Sequence, residues 1–309
     1  MNSHLTVIVS RGVSRNPAKR QLEEETAAAL AADPSIRVMV VPHLNDVRSD
    51  GVAIRALREV QGDLVVLSWL YERAAHWILD RCGIEGRVGQ AHWSPQQRDA
   101  RQGGTPASDE PQRVIETRNL PDRKIYCLEL RTQDAAPSYM KEVKRIAAAT
   151  RGWPRSAVQP ATANAPAADR IEESTKRRWY PVIDYSRCTN CMECVDFCLF
   201  GVYGIDETET ILVEQPDYCR KGCPACSRVC PESAIIFPQH ATPAIAGAPA
   251  GAGSLKVDLS KLFGAPDHDR SARELADSER EEQIRRSPGK SASKDELDKL
   301  IDSLDELDL

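Results

Sequence analysis

The chain is 309 residues long, enough for about two domains at roughly 150 residues each. A charged fraction of 28% and a net charge of −5 exclude the basic excess of a general nucleic-acid binder. No apolar run reaches the ~18 residues that a bilayer span needs. Met1–Ser10 also lacks the basic-then-apolar pattern of a secretory signal, so a cytoplasmic chain with no membrane span is expected.

In chain order, residues 5–10 (Leu-Thr-Val-Ile-Val-Ser), 36–41, 63–70 and 124–130 are apolar runs bounded by breakers. Their β-branched content predicts buried strands. Helices are predicted between and after them. Residues 17–32 open on Pro17 and are rich in Ala, Leu and Glu. Residues 49–60 bring Val52, Ile54, Leu57 and Val60 to helical spacing, and 71–82 and 138–150 read similarly. The alternation predicts an α/β domain with a mostly parallel sheet over 1–153. Residues 94–112 lack large aliphatics and read as a polar loop. Residues 154–176 read as a linker, 177–238 as a compact cysteine-rich module, and 239–292 as a disordered linker and tail.

The cysteines carry the chemistry. Eight of the ten lie between Cys188 and Cys230. Clustering without an export signal points to metal rather than disulfides. The first motif is Cys188-x2-Cys191-x2-Cys194-x3-Cys198. The second is Cys219-x3-Cys223-x2-Cys226-x3-Cys230, followed by Pro231. The bland alternative is two structural zinc sites, but these commonly use separated C-x2-C pairs rather than four cysteines in one tight run.

The two runs resemble the bacterial two-cluster ferredoxins, with their C-x2-C-x2-C-x3-C-P motif. The resemblance covers about sixty residues and implies a small α+β ferredoxin-like module holding two 4Fe–4S clusters. In that family the fourth ligand of each cluster comes from the other motif. The resemblance therefore implies Cys188, Cys191, Cys194 and Cys230 for one cluster, and Cys219, Cys223, Cys226 and Cys198 for the other. Two departures stand out. Leu199 follows Cys198 where the family has proline, and the second motif has one extra residue in Arg220-Lys221-Gly222, where glycine can absorb a bulge. The flanking sequence predicts a strand at 180–184, a short helix at 195–200, a hairpin of 202–206 with 211–214, and a last strand at 233–237.

Other candidates are weaker. The Ser10-Arg11-Gly12 loop after the first strand, the following helix and Val41-Pro42-His43 vaguely resemble the small tetrapyrrole chelatases, whose loop carries a metal-ligating histidine. That family's run is His-Gly-Ser-Arg; this chain has Ser10-Arg11-Gly12 instead, without the histidine. His43, His76, His92 and Cys82 have no metal-motif spacing and, with Cys127, read mainly as packing or surface residues. Lys176-Arg177-Arg178 beside Trp179 reads as a solvated linker end or a steering patch. Residues 293–309 combine a capping box, Ser293 to Glu296, with Leu297, Leu300, Ile301, Leu304 and Leu307 at helical spacing among acidic residues. This predicts an acidic amphipathic helix that either folds back or docks on a partner.

The expected function is electron transfer through two clusters, as a ferredoxin-like carrier or redox subunit with protein partners. The rival is an oxidoreductase or chelatase-like enzyme whose N-terminal domain binds a substrate or tetrapyrrole. A third reading is a structural iron–sulfur module.

Overall fold

The computed structural model describes residues 5–92, 111–150 and 168–249, together with 277, 280 and 281. The chain divides into two compact units, 1–96 with 119–177, and 97–118 with 178–309. Elements run in the order β1 (Leu5–Ser10), α1 (Pro17–Ala31), β2 (Ile36–Val41), α2 (Val52–Arg58), β3 (Leu64–Ser68), α3 (Glu72–Arg81) and β4 (Arg87–Gly89). Next come α4 (Val114–Thr117), which belongs to the second unit, then β5 (Lys124–Glu129), α5 (Ala136–Ala149) and β6 (Asp169–Arg170).

The first unit is an α/β domain around a six-stranded parallel sheet of order β4-β5-β3-β1-β2-β6. The connection from β1 to β2 crosses the sheet one way, and that from β2 to β3 crosses back. Right-handed crossovers then put α1 and α5 on one face and α2 and α3 on the other. Accordingly α1 and α5 pack together. Val7, Val9, Val65, Leu67 and Leu128 cluster with Leu30 of α1 and Tyr139 and Val143 of α5. The alternate residues Ile8, Val66 and Cys127 are buried as well, so both faces are covered. Helix α1 starts where Pro17 presets φ and the Asn16 side chain accepts from the Ala18 N–H at 2.9 Å.

Elements β4, β6 and α4 depart from the sequence expectation. Strand β4 is three residues long and mostly exposed. Strand β6 falls within the stretch read as a linker. It pairs parallel to β2, and its exposed side chains form ion pairs, Asp169 with Arg37 at 3.1 Å and Arg170 with Glu24. Helix α4 follows directly on the polar loop, and the Val114 N–H donates to the Cys188 carbonyl at 2.9 Å. The rest of that loop, 94–110, and the proposed helix 293–309 lie outside the described residues.

The second unit continues with β7 (Val182–Ile183), α6 (Glu193–Phe197), β8 (Tyr203–Ile205), β9 (Ile211–Val213), a 3-10 turn (Pro216–Tyr218), α7 (Ala225–Val229), β10 (Ile235–Ile236) and α8 (Pro243–Ala246). Strands β7 and β10 pair antiparallel, as do β8 and β9. Helix α8 lies in the stretch expected to be an unstructured connector. It is held because Ile245 and Ala246 are buried and the Ile245 carbonyl accepts from the Phe237 N–H at 2.9 Å.

Candidate metal centre

The cysteine module shares its core between thiols and apolar side chains. Ile183, Val202, Ile211, Ile235 and Phe237 share their core with Cys188, Cys194 and Cys226. The backbone that presents the thiols is unusual. Asn190 and Met192, either side of Cys191, both have left-handed φ values of 58° and 63°. Asn tolerates that region because its short side chain bonds locally. Here Asn190 Nδ2 donates to the Glu209 carbonyl at 2.6 Å, and its Oδ1 accepts from the Ile211 N–H at 3.0 Å. The first motif is thereby pinned to the β8–β9 hairpin. In the second motif Gly222 takes φ +80° and the Cys223 N–H closes a turn on the Arg220 carbonyl at 3.0 Å. The extra residue of that motif is accommodated where glycine permits it.

The thiols fall into two neighbourhoods. Cys194 lies within electrostatic reach of Cys230, Cys188 and Cys191. Cys219 lies within reach of Cys226, Cys223 and Cys198. Each neighbourhood thus takes three cysteines from one motif and the last from the other. Cys226 also senses Cys194, so the two groups adjoin. Burial pushes the Cys188 thiol up to about 11, opposed by the Asn190 backbone bond and reinforced by Cys230 and Cys191. Burial likewise raises Cys194, Cys219, Cys226 and Cys230. A thiolate is costly in such a place unless a metal's positive charge compensates it.

Hydrogen bonds reach these sulfurs from backbone and side chain. The Ala234 N–H donates to Cys230 Sγ at 3.2 Å, and the Tyr203 hydroxyl donates to Cys226 Sγ at 3.1 Å. Burial raises the Tyr203 phenol well above its ordinary value, with Cys226 and Cys194 adding to the effect. Cys198, Cys219, Cys223 and Cys226 line an apolar cavity with Phe197 and Tyr203. Arg280 reaches the same cavity, its guanidinium 4.4 Å from the Phe197 ring centre.

Among the described residues, no group of three or more His, Cys, Asp or Glu side chains is positioned to hold a single metal ion. A multi-iron cluster sets its thiolates around a body several atoms wide. Its ligands therefore neighbour one another without meeting at one point. Buried soft donors in two groups of four suit such a group.

The remaining sequence candidates have structural partners. His43 pairs with Asp46 at 3.4 Å, and both are buried. His76 meets Trp77 edge-on at 4.9 Å. The His92 N–H donates to Glu142 at 2.7 Å. The Cys82 carbonyl accepts from Arg58, and Cys127 is buried in β5 with its thiol pushed up by that burial. Ser10 is fully buried, its hydroxyl donating to the Pro42 carbonyl and accepting from the Leu44 N–H at 3.0 Å. Arg178 pairs with Asp217 at 2.7 Å, and the Trp179 indole donates to the Cys223 carbonyl at 3.2 Å while stacking on Phe237. This end of the basic run anchors the module. Sequence reasoning missed the Tyr203 hydroxyl. It also missed the buried Glu23 carboxylate, which accepts from the Gly12 N–H at 2.8 Å and from the Trp69 indole.

Comparison with known proteins agrees with the cysteine chemistry. No family model matches the chain, and no solved structure matches it. The chain is 47% identical over 77 residues to an uncharacterized ferredoxin of Methanocaldococcus jannaschii, covering 23% of this chain and 52% of that one. It is 38% identical over 61 residues to pyruvate synthase subunit PorD of the same organism, covering 20% of this chain and 69% of the relative. It therefore spans about half the length of the first relative and about two thirds of the second. No helix among the described residues is long and apolar enough to cross a membrane. Cysteine chemistry and relatives together give a ferredoxin-like iron–sulfur domain, and by that domain the chain belongs to the ferredoxin-like iron–sulfur family.

Proposed function

We infer that the chain is an electron-transfer subunit carrying two 4Fe–4S clusters within a redox complex. Cys188, Cys191, Cys194 and Cys230 hold one cluster, and Cys198, Cys219, Cys223 and Cys226 hold the other. The observation that carries this reading is the crossed neighbourhood of the thiols, three from one motif with the last of the other. When bound, the clusters supply one-electron transfer with no substrate chemistry in the module. The cysteines fix their positions. Phe197, Val202 and Ala225 exclude water from the second group, and the Tyr203 hydroxyl and Ala234 N–H donate to sulfur. The domain division at 1–153, 154–176, 177–238 and 239–292 belongs to the same reading, amended by β6 within 154–176 and α8 within 239–292, with 293–309 as the segment that docks a redox partner. The PorD relative, named as a subunit of pyruvate synthase, supports a place within a larger assembly.

The α/β unit offers less support for an enzyme of the chelatase kind. The loop after β1 reads Ser10-Arg11-Gly12 without that family's metal-ligating histidine, and the Ser10 hydroxyl is engaged by Pro42 and Leu44. Anaerobically prepared protein should contain about eight irons and about eight labile sulfides per chain, as two cubanes imply. Two zinc ions without sulfide contradict the reading.

A further inference from the structure

A side-chain hydroxyl donates to one sulfur of the second group. Cys230 accepts from a backbone N–H, which side-chain substitution does not remove. Cys226 accepts from the Tyr203 hydroxyl, which one isosteric substitution deletes. Tyr203 is held firmly for this task. It opens β8, stands opposite Val213 of β9, and is only 8% exposed within the core that contains Cys194 and Cys226. The cavity around the second group is walled by Phe197, Phe200 and Val202. Apolar walls disfavour added negative charge, because little solvent responds to it. A hydroxyl aimed at sulfur opposes that penalty, and more strongly in a low dielectric than in water. Hydrogen bonds to the sulfurs are one of the terms that set cluster potential.

We propose that Tyr203 is a potential-setting residue: its hydroxyl bond to Cys226 raises the reduction potential of the cluster held by Cys198, Cys219, Cys223 and Cys226, selectively over that of its neighbour. Reduction adds one electron and therefore one negative charge to the cluster; no proton moves, and Tyr203 keeps its O–H. The donor stabilises the reduced form more than the oxidised one because sulfur carries more negative charge there. This inference rests on the two-cluster reading. It goes beyond it in naming a side chain outside the ligand set that makes the two clusters unequal.

The test is anaerobic potentiometry of the full chain, followed by EPR, after iron and sulfide have been counted. Tyr203→Phe keeps the ring and removes only the hydroxyl. The expected result is unchanged iron and sulfide, one cluster potential moved to a lower value, and the other moved less or not at all. Tyr185→Phe is the control, because the Tyr185 hydroxyl donates to the Ile211 carbonyl at 2.9 Å and not to a thiol. It should leave both potentials in place. Loss of iron from Tyr203→Phe would move the test to fluorotyrosine-substituted protein, whose more acidic hydroxyls strengthen the donor without removing it. The same potential should then rise. With clusters intact, two unmoved potentials or two equal shifts overturn the proposal. Failure of the two-cluster reading shows separately, as missing iron and sulfide in the unsubstituted protein.

Discussion

The two units reach a stable interior by different routes. In the α/β unit the interior is aliphatic: Ile8, Leu30, Ile54, Leu57, Leu64 and Leu67 are all at or near zero exposure. Its central strands β1, β2, β3 and β5 run five or six residues, and the register from Leu5 to Ser10 against Ile36 to Val41 is continuous. In the cysteine unit the described strands are two or three residues long, and thiols occupy core positions. One unit is held by burial of apolar area, which any solvent condition that keeps water excluded preserves. The other places buried thiols where aliphatics would be, and so depends on the metal that compensates them.

The sharpest way to break that symmetry is to remove iron. Chelation should unfold the cysteine unit while the α/β sheet stays protected, as hydrogen exchange of the full chain would report. Protection lost evenly in both units would contradict the distinction. The next effect is at the crossed ligands. Cys198→Ala should damage mainly the cluster of the second motif, and Cys230→Ala mainly that of the first. Damage confined in each case to the motif that carries the substitution would contradict the ligand assignment. In the opposite direction, Leu30→Ala empties part of the aliphatic interior and should cost the α/β unit about 2–5 kcal/mol in denaturant unfolding, with the cluster spectrum unchanged. Deleting 293–309 should leave both clusters intact and weaken partner association in a salt-dependent way, measured by titration of the partner complex.

The smallest expected effect is a pH dependence in the α/β unit. Burial raises the Glu142 carboxyl, but its bonds from Arg145 and the His92 N–H outweigh this and leave it below its ordinary value. A depressed carboxyl stabilises the fold above its unfolded pKa of about 4.3 and loses that contribution as pH falls through the folded value. Glu142→Gln should therefore lower the melting temperature near neutral pH, and the gap to the unsubstituted protein should narrow as pH falls below about 4.3 and through the lowered folded value. A gap independent of pH would show that the carboxylate charge plays no part.

Legibility followed the same division. Strands β1 and β2 could be read because a sheet buried on both faces demands continuous β-branched runs, and 5–10 and 36–41 supply them. Strand β6 could not, because Asp169 and Arg170 are exposed and are held by edge pairing and by Arg37 and Glu24. Charge pairs across 132 and 146 residues leave no local pattern. Helix α4 escaped for a similar reason: Val114 is the one apolar side chain it buries, and its contacts are with residues about seventy positions later. In the cysteine unit the spacing of the motifs announced the thiols, and Gly222 was readable as the residue that absorbs the insertion. The Tyr203 hydroxyl was not, since nothing in an alternating Val202-Tyr203-Gly204 run says which sulfur a phenol will meet.

The central claim is that two clusters lie side by side, tied by ligands that cross between the motifs. EPR of the fully reduced chain tests it most directly, because adjacent paramagnets broaden and split each other's signals. The account predicts a magnetically interacting spectrum that integrates to about two spins per chain, one from each cluster. A single, unsplit signal of about one spin would contradict it.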